Sequence, residues 1–480
     1  MAEGTGHHGG RMMHRAPLAV ALSLMVCAAP LKAQTTMPPA ERAAARAIFR
    51  ELVEMVTTDS AGNTPRTAQA MADRLIAAGI PAADVHVLSL NPKVGMLVAR
   101  LRGRNSSARP ILLMAHLDVV PANRADWTVD PYAFQERDGW FFGRGTSDDK
   151  GGASILVTTL ARYAREHWRP ERDIIVALTG DEETAGASIA SLVTDHRDLV
   201  DAEFALNADA GSVTLMDGRP RVFAVQASEK VYMDYQLEVT DAGGHSSLPR
   251  AVNPIYTLSA ALVRLGAYQF PLQLNDITRT WLERSSQLDT GQLAADKRAV
   301  IAPSPDPAVV ARLSAVPYLN ARLRTTCVAT RLDGGHANNA LPQRARATIN
   351  CRVLPGQPIE EVTATLRRLA GDSVTLTELR TPVLSPPSVP PPALMATFER
   401  LSAEQWPGIV TIPYMETGAT DGLYTRNGGI PTYGVEAFAS DPNDVRAHGR
   451  DERLGVEAYY DAAQLWYRMV KELAGSPARP

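Results

Sequence analysis

Histidine and acidic residues recur where apolar segments of this 480-residue chain end. The apolar segment 111–114 is followed by His116, and Asp118 stands two residues further on. In a parallel sheet the carboxyl ends of strands open onto the ligand crevice, so His116 is placed where chemistry normally occurs. The Asp118 carboxylate can accept a hydrogen bond from the second ring nitrogen and fix the tautomer of a metal-bound imidazole. Taken alone, such a pair is more often structural.

Two acidic turns carry the pattern further along the chain. Asp148 and Asp149 are adjacent in a glycine-rich turn before a helical segment, where acids often serve only as helix caps. Residues 181–183 are three consecutive acids directly after the apolar segment 174–178. Gathering them is costly unless a cation or a proton compensates their charge, although a fully solvated loop escapes that cost. A bound metal is the simplest explanation.

Two single residues complete the candidate set. Asp209 lies just past a short apolar run, and His448 lies shortly before the last helical segment. Either residue alone would be interpreted as structural. Together, imidazole and carboxylate groups at several strand ends suit zinc, with manganese or cobalt as possible substitutes. The sequence therefore predicts a metal site built from widely separated segments.

Apolar periodicity predicts the elements that would position these residues. Helical spacing of apolar residues predicts helices, and short apolar runs predict buried strands. The predicted helices of the first part are 41–55, 67–78 and 152–168, and the predicted strands are 85–88, 96–101, 111–114 and 174–178. Strands that alternate with helices indicate an α/β fold with a mostly parallel sheet and helices on both faces.

The pattern changes after residue 229. A long alternating strand, 231–239, is followed by a helix, a polar and irregular stretch from about 269 to 317, two strands, a helix and a strand. The elements around that stretch are predicted at 254–267, 323–331, 346–354, 359–370 and 374–379. They form a compact α+β layer that ends at the proline-rich linker 386–392. The α/β pattern then returns and finishes with a helix at 456–474, which indicates a small domain inserted in an α/β domain.

Charge and the first residues bear on partners and location. The formal net charge is -3, so nothing in the charge favours nucleic acid or anionic membranes as partners. A basic start, an apolar run at 16–30 and small residues up to Ala33 predict a secretory signal peptide and export to the periplasm or the medium. A membrane anchor is the alternative, but the run is shorter than the ~20 residues that span a bilayer. Lipid attachment at Cys27 is a minor alternative.

Two cysteines remain after the predicted signal peptide. Cys327 and Cys351 lie in two β-like runs and are equidistant from Asn339. If these runs pair as a hairpin, the two thiols could face each other, and an oxidising compartment would permit a disulfide. Two separate small core residues are an equally good interpretation.

The segments that contain these acids and histidines resemble, in their residues and in their order along the chain, those of the co-catalytic zinc metallopeptidase family. This family includes glutamate carboxypeptidases, bacterial dipeptidases, aminoacylases, acetylornithine deacetylase and succinyl-diaminopimelate desuccinylase. The matching motifs are 115–121, 143–152, 179–186, 204–211 and 445–453. The resemblance implies two zinc ions, with cobalt or manganese as substitutes, and Asp148 as the bridge between them. The implied metal ligands are His116, Asp148, Glu183, Asp209 and His448.

The same resemblance implies roles for neighbouring residues and an architecture. Asp118 would orient His116, Glu182 would be the general base for a metal-bridged water, and the peptide bond between Asp148 and Asp149 would be cis. The implied fold is of the zinc exopeptidase type with an inserted α+β ferredoxin-like lid or dimerisation domain. The predicted divisions are a signal peptide at 1–33, a catalytic domain at 34–229 and 386–480, and the inserted domain at 230–385.

Residues in and after the inserted domain also match the family. His245 would reach the substrate carbonyl, commonly in the partner subunit's site, which implies a homodimer, although some members are monomers. Asn339 and Arg352 would hold the substrate, and a bidentate guanidinium suits a terminal carboxylate. Gly418 lies in a loop that would be near the substrate. Alternatively, Arg352 is a charge on a strand surface and Asn339 is a turn residue.

These observations predict a metal-dependent hydrolase that cleaves a peptide or N-acyl amide bond of a small substrate such as a dipeptide. In the family that the chain resembles, aspartate at the position of Asp209 is typical of dipeptidase-like and aminopeptidase-like members, so the resemblance favours a dipeptidase. The insertion at 269–317 and the residues around Asn339 instead look like the branch of vacuolar carboxypeptidase S and N-acyl-amino-acid hydrolases. An N-acyl-amino-acid deacylase or a carboxypeptidase is therefore the alternative. A catalytically silent binding protein is the non-enzyme alternative, and the presence of every implied ligand and the base speaks against it.

Overall fold

The computed structural model describes residues 1, 3–9 and 35–475. Two compact units divide the chain, Met1–Gln34 and Thr35–Pro480. The apolar run of the predicted signal peptide and its cleavage position lie outside the described residues. All helices and strands of the described residues belong to the second unit. Within this described part, no helix combines the length and the apolar character needed to cross a bilayer.

The described helices confirm those predicted from periodicity, with shifts of a few residues at their ends. Several begin with proline in the first turn, where its missing N–H is not needed. The helices are α1 (Pro39–Glu54), α2 (Thr64–Ala77), α3 (Lys150–Arg165), α4 (Ala187–Thr194), α5 (Arg197–Val200), α6 (Pro254–Ala267), α7 (Asp276–Ser285), α8 (Gly291–Ala299), α9 (Pro307–Ser314), α10 (Pro317–Leu323), α11 (Ile359–Ala370), α12 (Pro392–Gln405), α13 (Gly422–Asn427) and α14 (Val456–Gly475).

The described strands include every strand predicted above. They are β1 (Val85–Ser89), β2 (Gly95–Leu101), β3 (Ile111–His116), β4 (Gln135–Arg137), β5 (Trp140–Phe142), β6 (Ile174–Thr179), β7 (Phe204–Asn207), β8 (Ser212–Met216), β9 (Arg219–Glu229), β10 (Val231–Thr240), β11 (Gly244–His245), β12 (Thr326–Gly334), β13 (Ala340–Leu341), β14 (Arg344–Val353), β15 (Thr375–Glu378), β16 (Val410–Glu416), β17 (Thr432–Gly434), β18 (Ala439–Ser440) and β19 (Arg453–Gly455). Most of them form two sheets of different character.

A ten-stranded sheet forms the centre of the α/β part. Its order is β1-β2-β6-β3-β7-β17-β9-β8-β18, with β16 beside β9. The neighbours β6, β3, β7 and β17 run parallel, while the pairs β1·β2 and β8·β9 near the edges are antiparallel. All residues of β3 and β6 are buried, as expected of strands covered on both faces. The predicted fold class is confirmed, and the carboxyl ends of β3, β6 and β7 lie side by side.

The second sheet is antiparallel and has the order β12-β14-β10-β15. Helices α6 and α11 supply apolar side chains to a core shared with this sheet, including Leu258 and Leu366 against Met233 and Ile349. The chain order β-α-β-β-α-β and this strand order are those of a ferredoxin-like layer, as the sequence predicts. The predicted domain boundaries at 230 and 385 stay a prediction.

Cys327 and Cys351 are direct partners across β12 and β14. Their sulfur atoms are 1.98 Å apart and form a disulfide. The hairpin interpretation is therefore right, and the interpretation as two separate core residues is wrong.

The prediction of an irregular stretch at 269–317 is wrong. Three short helices, α7 to α9, lie within it and α10 begins at its end, and Leu282, Val300, Leu313 and Leu319 form a small apolar core between the four. The helices α7, α9 and α10 each contribute only one or two buried apolar residues to this core, and Val300 directly follows α8. The spacing of these apolar residues along the sequence therefore shows little helical periodicity.

Candidate active site

His116, the last residue of β3, is 1% exposed and has carboxylates around its ring. Its Nε2 lies 2.9 Å from an Asp148 oxygen and 3.6 Å from an Asp209 oxygen. Its Nδ1 lies 3.0 Å from the carbonyl oxygen of Asp118 and 3.6 Å from that residue's carboxylate. Although burial opposes protonation, the neighbouring carboxylates raise the pKa of His116 well above its ordinary value. Asp118 thus has the contacts of a residue that orients this ring.

Asp148 lies between two histidines. One carboxylate oxygen faces His116, and the other lies 3.0 Å from Nε2 of His448, which is also 2.9 Å from a Glu183 oxygen. Burial alone would raise the pKa of Asp148, but hydrogen bonds from the two imidazoles lower it. Hydrogen bonds to Asp148 and Glu183 raise the pKa of His448 to about 10. The position suits a bridging ligand, and the peptide bond from Asp148 to Asp149 is cis, as the resemblance implies.

Several carboxyl groups of this cluster are buried with too little positive charge beside them. Burial raises the pKa of Asp209 to about 6. Burial and the charge of Asp209 raise the pKa values of Asp149 and Glu182 well above the ordinary range. A set of buried oxygen and imidazole donors with excess negative charge is the chemistry that a divalent cation compensates.

Asp149 is a candidate ligand that the sequence interpretation did not include. It is fully buried and makes no side-chain cap to α3, so the helix-cap interpretation is wrong for this residue. Its Oδ2 accepts a hydrogen bond from the His116 backbone, while Oδ1 has no partner among the described residues. In each of two sets of three residues, the side chains have ligand atoms within 4.8 Å of one another. One set is His116, Asp148 and Glu183, and the other is His116, Asp149 and Asp209.

Asp118 also holds the acidic turn that follows β6. Its two carboxylate oxygens accept hydrogen bonds from the backbone N–H groups of Glu182, at 3.1 Å, and Glu183, at 3.0 Å. One side chain therefore faces the imidazole and fixes the neighbouring turn at the same time. The sequence suggests the first contact and gives no sign of the second, because β6 lies far along the chain from Asp118.

A buried ion pair joins the two loops that carry Asp148 and His448. Arg144 lies 2.5 Å from Glu452, and their side chains are 3% and 0% exposed. The Arg144 guanidinium also donates to the carbonyl oxygen of His448, and Glu452 accepts the N–H groups of Ser147 and Asp148. The sequence interpretation missed this pair, although the charged run 450–453 beside His448 was a signal.

A cavity of about 430 Å³ opens beside the cluster. Its walls include Asp148, Glu182, Glu183, Asp209 and His448 together with Lys230, Tyr232, Arg352, Arg380, Glu416 and Gly418. The structure therefore brings the predicted Arg352 and Gly418 to the same cavity as the candidate metal ligands. Arg352 and the candidate ligands come from different sheets, so the cavity depends on both.

His245 and Asn339 lie elsewhere. They are exposed in and beside the short ribbon of β11 and β13, where the Ser246 N–H donates to the Asn339 carbonyl oxygen. The His245 Nδ1 is 2.7 Å from the Ser247 hydroxyl. Their predicted contact with substrate, which involves a partner subunit, stays a prediction.

The fold and the cluster define a class: metal-dependent hydrolytic enzymes with ligands on loops at the carboxyl edge of a largely parallel sheet. Residues 112–472 match peptidase family M20/M25/M40. The chain belongs to this family.

Two kinds of relative illustrate the family. The chain is 29% identical over 392 residues to the Homo sapiens N-fatty-acyl-amino acid synthase/hydrolase PM20D1, covering 77% of this chain and 75% of that protein. The M20 family metallo-carboxypeptidase Sso-CP2 from Sulfolobus solfataricus has a TM-score of 0.68 at 16% identity, covering 89% and 98% of the two chains. The Bacillus subtilis YXEP protein, a dinuclear metal binding M20 peptidase, has a TM-score of 0.59 at 13% identity, covering 91% and 99%. At these identities the two solved structures share the fold with this chain.

Proposed function

We propose that this enzyme is a two-metal amidohydrolase that cleaves a peptide or N-acyl amide bond in a small substrate with a free terminal carboxylate. The observation that carries the proposal is the position of Asp148 between His116 and His448, in the wall of a cavity that Arg352 also lines. The acidic part of this lining suits cations, and Arg352 suits a carboxylate. An amide bond of a substrate held by Arg352 would lie in the same cavity as the cluster.

The residues present fit two divalent cations, of which zinc is the first choice. The orphan Oδ1 of Asp149 and the raised pKa values of Asp149, Glu182 and Asp209 indicate uncompensated charge. Imidazole nitrogens with carboxylate oxygens are a donor set that zinc prefers, with cobalt and manganese as substitutes. The ligands would be His116, Asp148, Glu183, Asp209 and His448, and Asp149 would be either an added ligand or a neighbour that balances charge. When bound, such cations supply Lewis acidity that acidifies water and polarises a carbonyl.

Glu182 is the proposed general base. It lines the cavity, and its backbone is held by Asp118. Burial and the charge of Asp209 raise the pKa of its carboxyl group, and cations bound beside it would keep the group ionised, as a proton acceptor must be. Glu182 would take a proton from the attacking water as the C–O bond forms, and return it to the amine nitrogen as the C–N bond breaks.

Arg352 is the proposed partner of the terminal carboxylate. Its guanidinium presents paired N–H donors that match a carboxylate. The human relative, named for N-fatty-acyl-amino acids, supports an acyl-amino-acid substrate, and the Sulfolobus solfataricus neighbour supports a carboxypeptidase. A dipeptide meets the same requirements, so the proposal includes both peptide and N-acyl amide bonds.

A substrate panel tests the proposal. Dipeptides and N-acyl amino acids are assayed with the purified protein after addition of zinc, after removal of metal by a chelator, and after zinc is restored. We expect hydrolysis of at least one class, loss of hydrolysis with the chelator and recovery with zinc. Bound metal without hydrolysis of any compound would instead favour the binding-protein alternative.

We also propose export to the periplasm or medium and assembly as a homodimer. Export is supported by the residues before Ala33 and by the disulfide between Cys327 and Cys351, because such bonds persist in oxidising compartments. The exposed ribbon that carries His245 is the surface from which a partner subunit could be reached. Mass spectrometry of the exported protein, which would begin at Gln34, and light scattering check these two statements.

A further inference from the structure

Two guanidinium groups lie over the same aromatic ring in the cavity wall. The Arg352 guanidinium carbon is 4.5 Å from the centre of the Tyr232 ring, and that of Arg380 is 4.7 Å from the same centre. All three residues line the cavity beside the candidate metal cluster. Arg352 comes from β14 and Tyr232 from β10, while Arg380 follows β15. The ring therefore holds two like charges close together.

Neither guanidinium forms an ion pair within the part of the chain that the structure describes. Two acids whose charges act on Arg352 accept hydrogen bonds from neutral donors: Asp234 accepts from the Asn350 amide at 2.8 Å, and Glu416 accepts from the Tyr414 hydroxyl at 2.8 Å. Burial, with a contribution from the Arg380 charge, lowers the pKa of Arg352. Among the described residues, this part of the cavity wall thus has two guanidinium groups with no acid at ion-pair distance.

Lys230 adds to this wall from the junction of β9 and β10. Its side chain is buried, and its Nζ donates to the carbonyl oxygen of Arg324 at 2.7 Å. Burial and the charges of Arg352 and Arg322 lower the pKa of Lys230 to about 7. An anion bound nearby would favour its charged form, so Lys230 reinforces a site for more than one negative charge.

A single terminal carboxylate does not pair with all the positive charge of this wall. One carboxylate accepts one guanidinium fork, here that of Arg352, and leaves Arg380 without an anionic partner. Arg380 is exposed and belongs to no helix or strand, so leaving its charge in water costs little. Its position over Tyr232 at the cavity wall, however, places it beside whatever group extends from the residue held by Arg352.

We propose that Arg380, held over the Tyr232 ring, forms a second anion-binding subsite, and that the enzyme prefers substrates whose carboxylate-bearing residue is glutamate or aspartate. The inference rests on the proposed function, because it assigns the second carboxylate of the substrate that Arg352 anchors. Arg380 is thus a specificity-determining residue for the leaving amino acid and takes no part in bond cleavage.

Matched substrates test the inference. The values of kcat/KM are measured for Ala-Glu against Ala-Gln and for N-acetyl-glutamate against N-acetyl-glutamine, which differ only in the charge of the side chain. We expect the acidic member of a hydrolysed pair to be favoured by about tenfold or more, equivalent to about 1.4 kcal/mol. Arg380→Gln should lower kcat/KM for the acidic member alone and bring the ratio close to unity. Arg380→Lys, which keeps the charge, should retain part of the preference.

Arg368→Gln is the matched control, because the Arg368 guanidinium also lies over an aromatic ring, 5.6 Å from the centre of Tyr268, but outside this cavity. It should leave the ratio unchanged. Equal kcat/KM values for the two members of a pair, or an Arg380→Gln variant that slows both equally, would overturn the inference and leave the proposed function standing.

Calorimetric titration of the zinc-supplemented protein with free glutamate and glutamine separates the two proposals. If neither these four compounds nor any other member of the substrate panel is hydrolysed, the proposed function fails, and this titration decides the subsite without turnover. Stronger binding of glutamate that is lost in Arg380→Gln supports the subsite. Equal binding of the two amino acids overturns it.

Discussion

Two parts of the cavity lining, which we call the acidic end and the cationic end, differ in charge and in the elements that support them. At one end, acids and imidazoles converge from the end of β3 and from the loops that follow β5, β6, β7 and β18, and several buried carboxyl groups have too little positive charge beside them. At the other end, the guanidinium groups of Arg352 and Arg380 lie over one ring on the antiparallel sheet. The first end needs cations to balance it, and the second needs anions. From this difference we infer that the metal ions balance the charge of the acidic end and the substrate balances the charge of the cationic end.

The largest effect is expected at the acidic end, from Glu182→Gln. Removing the proposed general base should lower kcat by ~10²–10⁴-fold while the metal content stays the same, because Glu182 is not among the proposed ligands. Steady-state kinetics and metal analysis of the same preparation measure both. Glu203→Gln, which alters an ion pair between the half-exposed Glu203 and the buried Arg172 outside the cavity, is the control and should turn over substrate like the unmodified enzyme. Near-normal turnover of Glu182→Gln would reject the role.

Arg144→Met should remove the buried ion pair that supports the acidic end. It leaves Glu452 buried without its partner, which costs about 3–5 kcal/mol in the free energy of unfolding. Because the pair holds the backbone of both Asp148 and His448, metal affinity should also fall by ~10–100-fold. Urea unfolding and metal titration measure these changes.

Arg400→Met provides the comparison for that variant, since Arg400 pairs with Glu472 on the surface and the loss should be about 1 kcal/mol or less. Equal losses of stability in the two variants would show that the buried pair has no special role.

The disulfide allows the sheet at the cationic end to be destabilised separately from the acidic end. Cys351 precedes Arg352 on β14, and the bond to Cys327 spans 24 residues. Replacing both cysteines with serine should reduce the free energy of unfolding by ~3 kcal/mol through the entropy of the unfolded chain. Metal content should not change, because no proposed ligand lies on this sheet. Urea unfolding with and without a reductant checks the value, and loss of metal in the variant would contradict the separation of the two ends.

Local sequence predicts the acidic end and fails at the cationic end for a physical reason. His116 and Glu183 follow apolar strands, and parallel strands bring their carboxyl ends together, so position along the chain is enough to place them. Arg380 follows a short strand and has no local feature that separates it from any surface arginine. Only the pairing of β10 with β14 and β15 brings it to the ring that Arg352 also contacts.

Two other failures have the same origin. Arg144 and Glu452 are 308 positions apart, and nothing in either segment alone indicates that they pair. The helices α7 to α10 share a small core that forms only when they pack together. Local periodicity detects long elements with a continuous apolar face, and interactions between distant segments are outside its reach.

Metal content tests the central claim most directly. Inductively coupled plasma mass spectrometry of the dialysed protein, with hydrolysis measured on the same sample, should find about two divalent ions per chain in the active enzyme. Asp148→Asn should bind fewer and lose activity, while Asp372→Asn, at an exposed position, should match the unmodified protein. Full hydrolysis by protein without bound divalent ions, or an unchanged metal content in Asp148→Asn, would contradict the account.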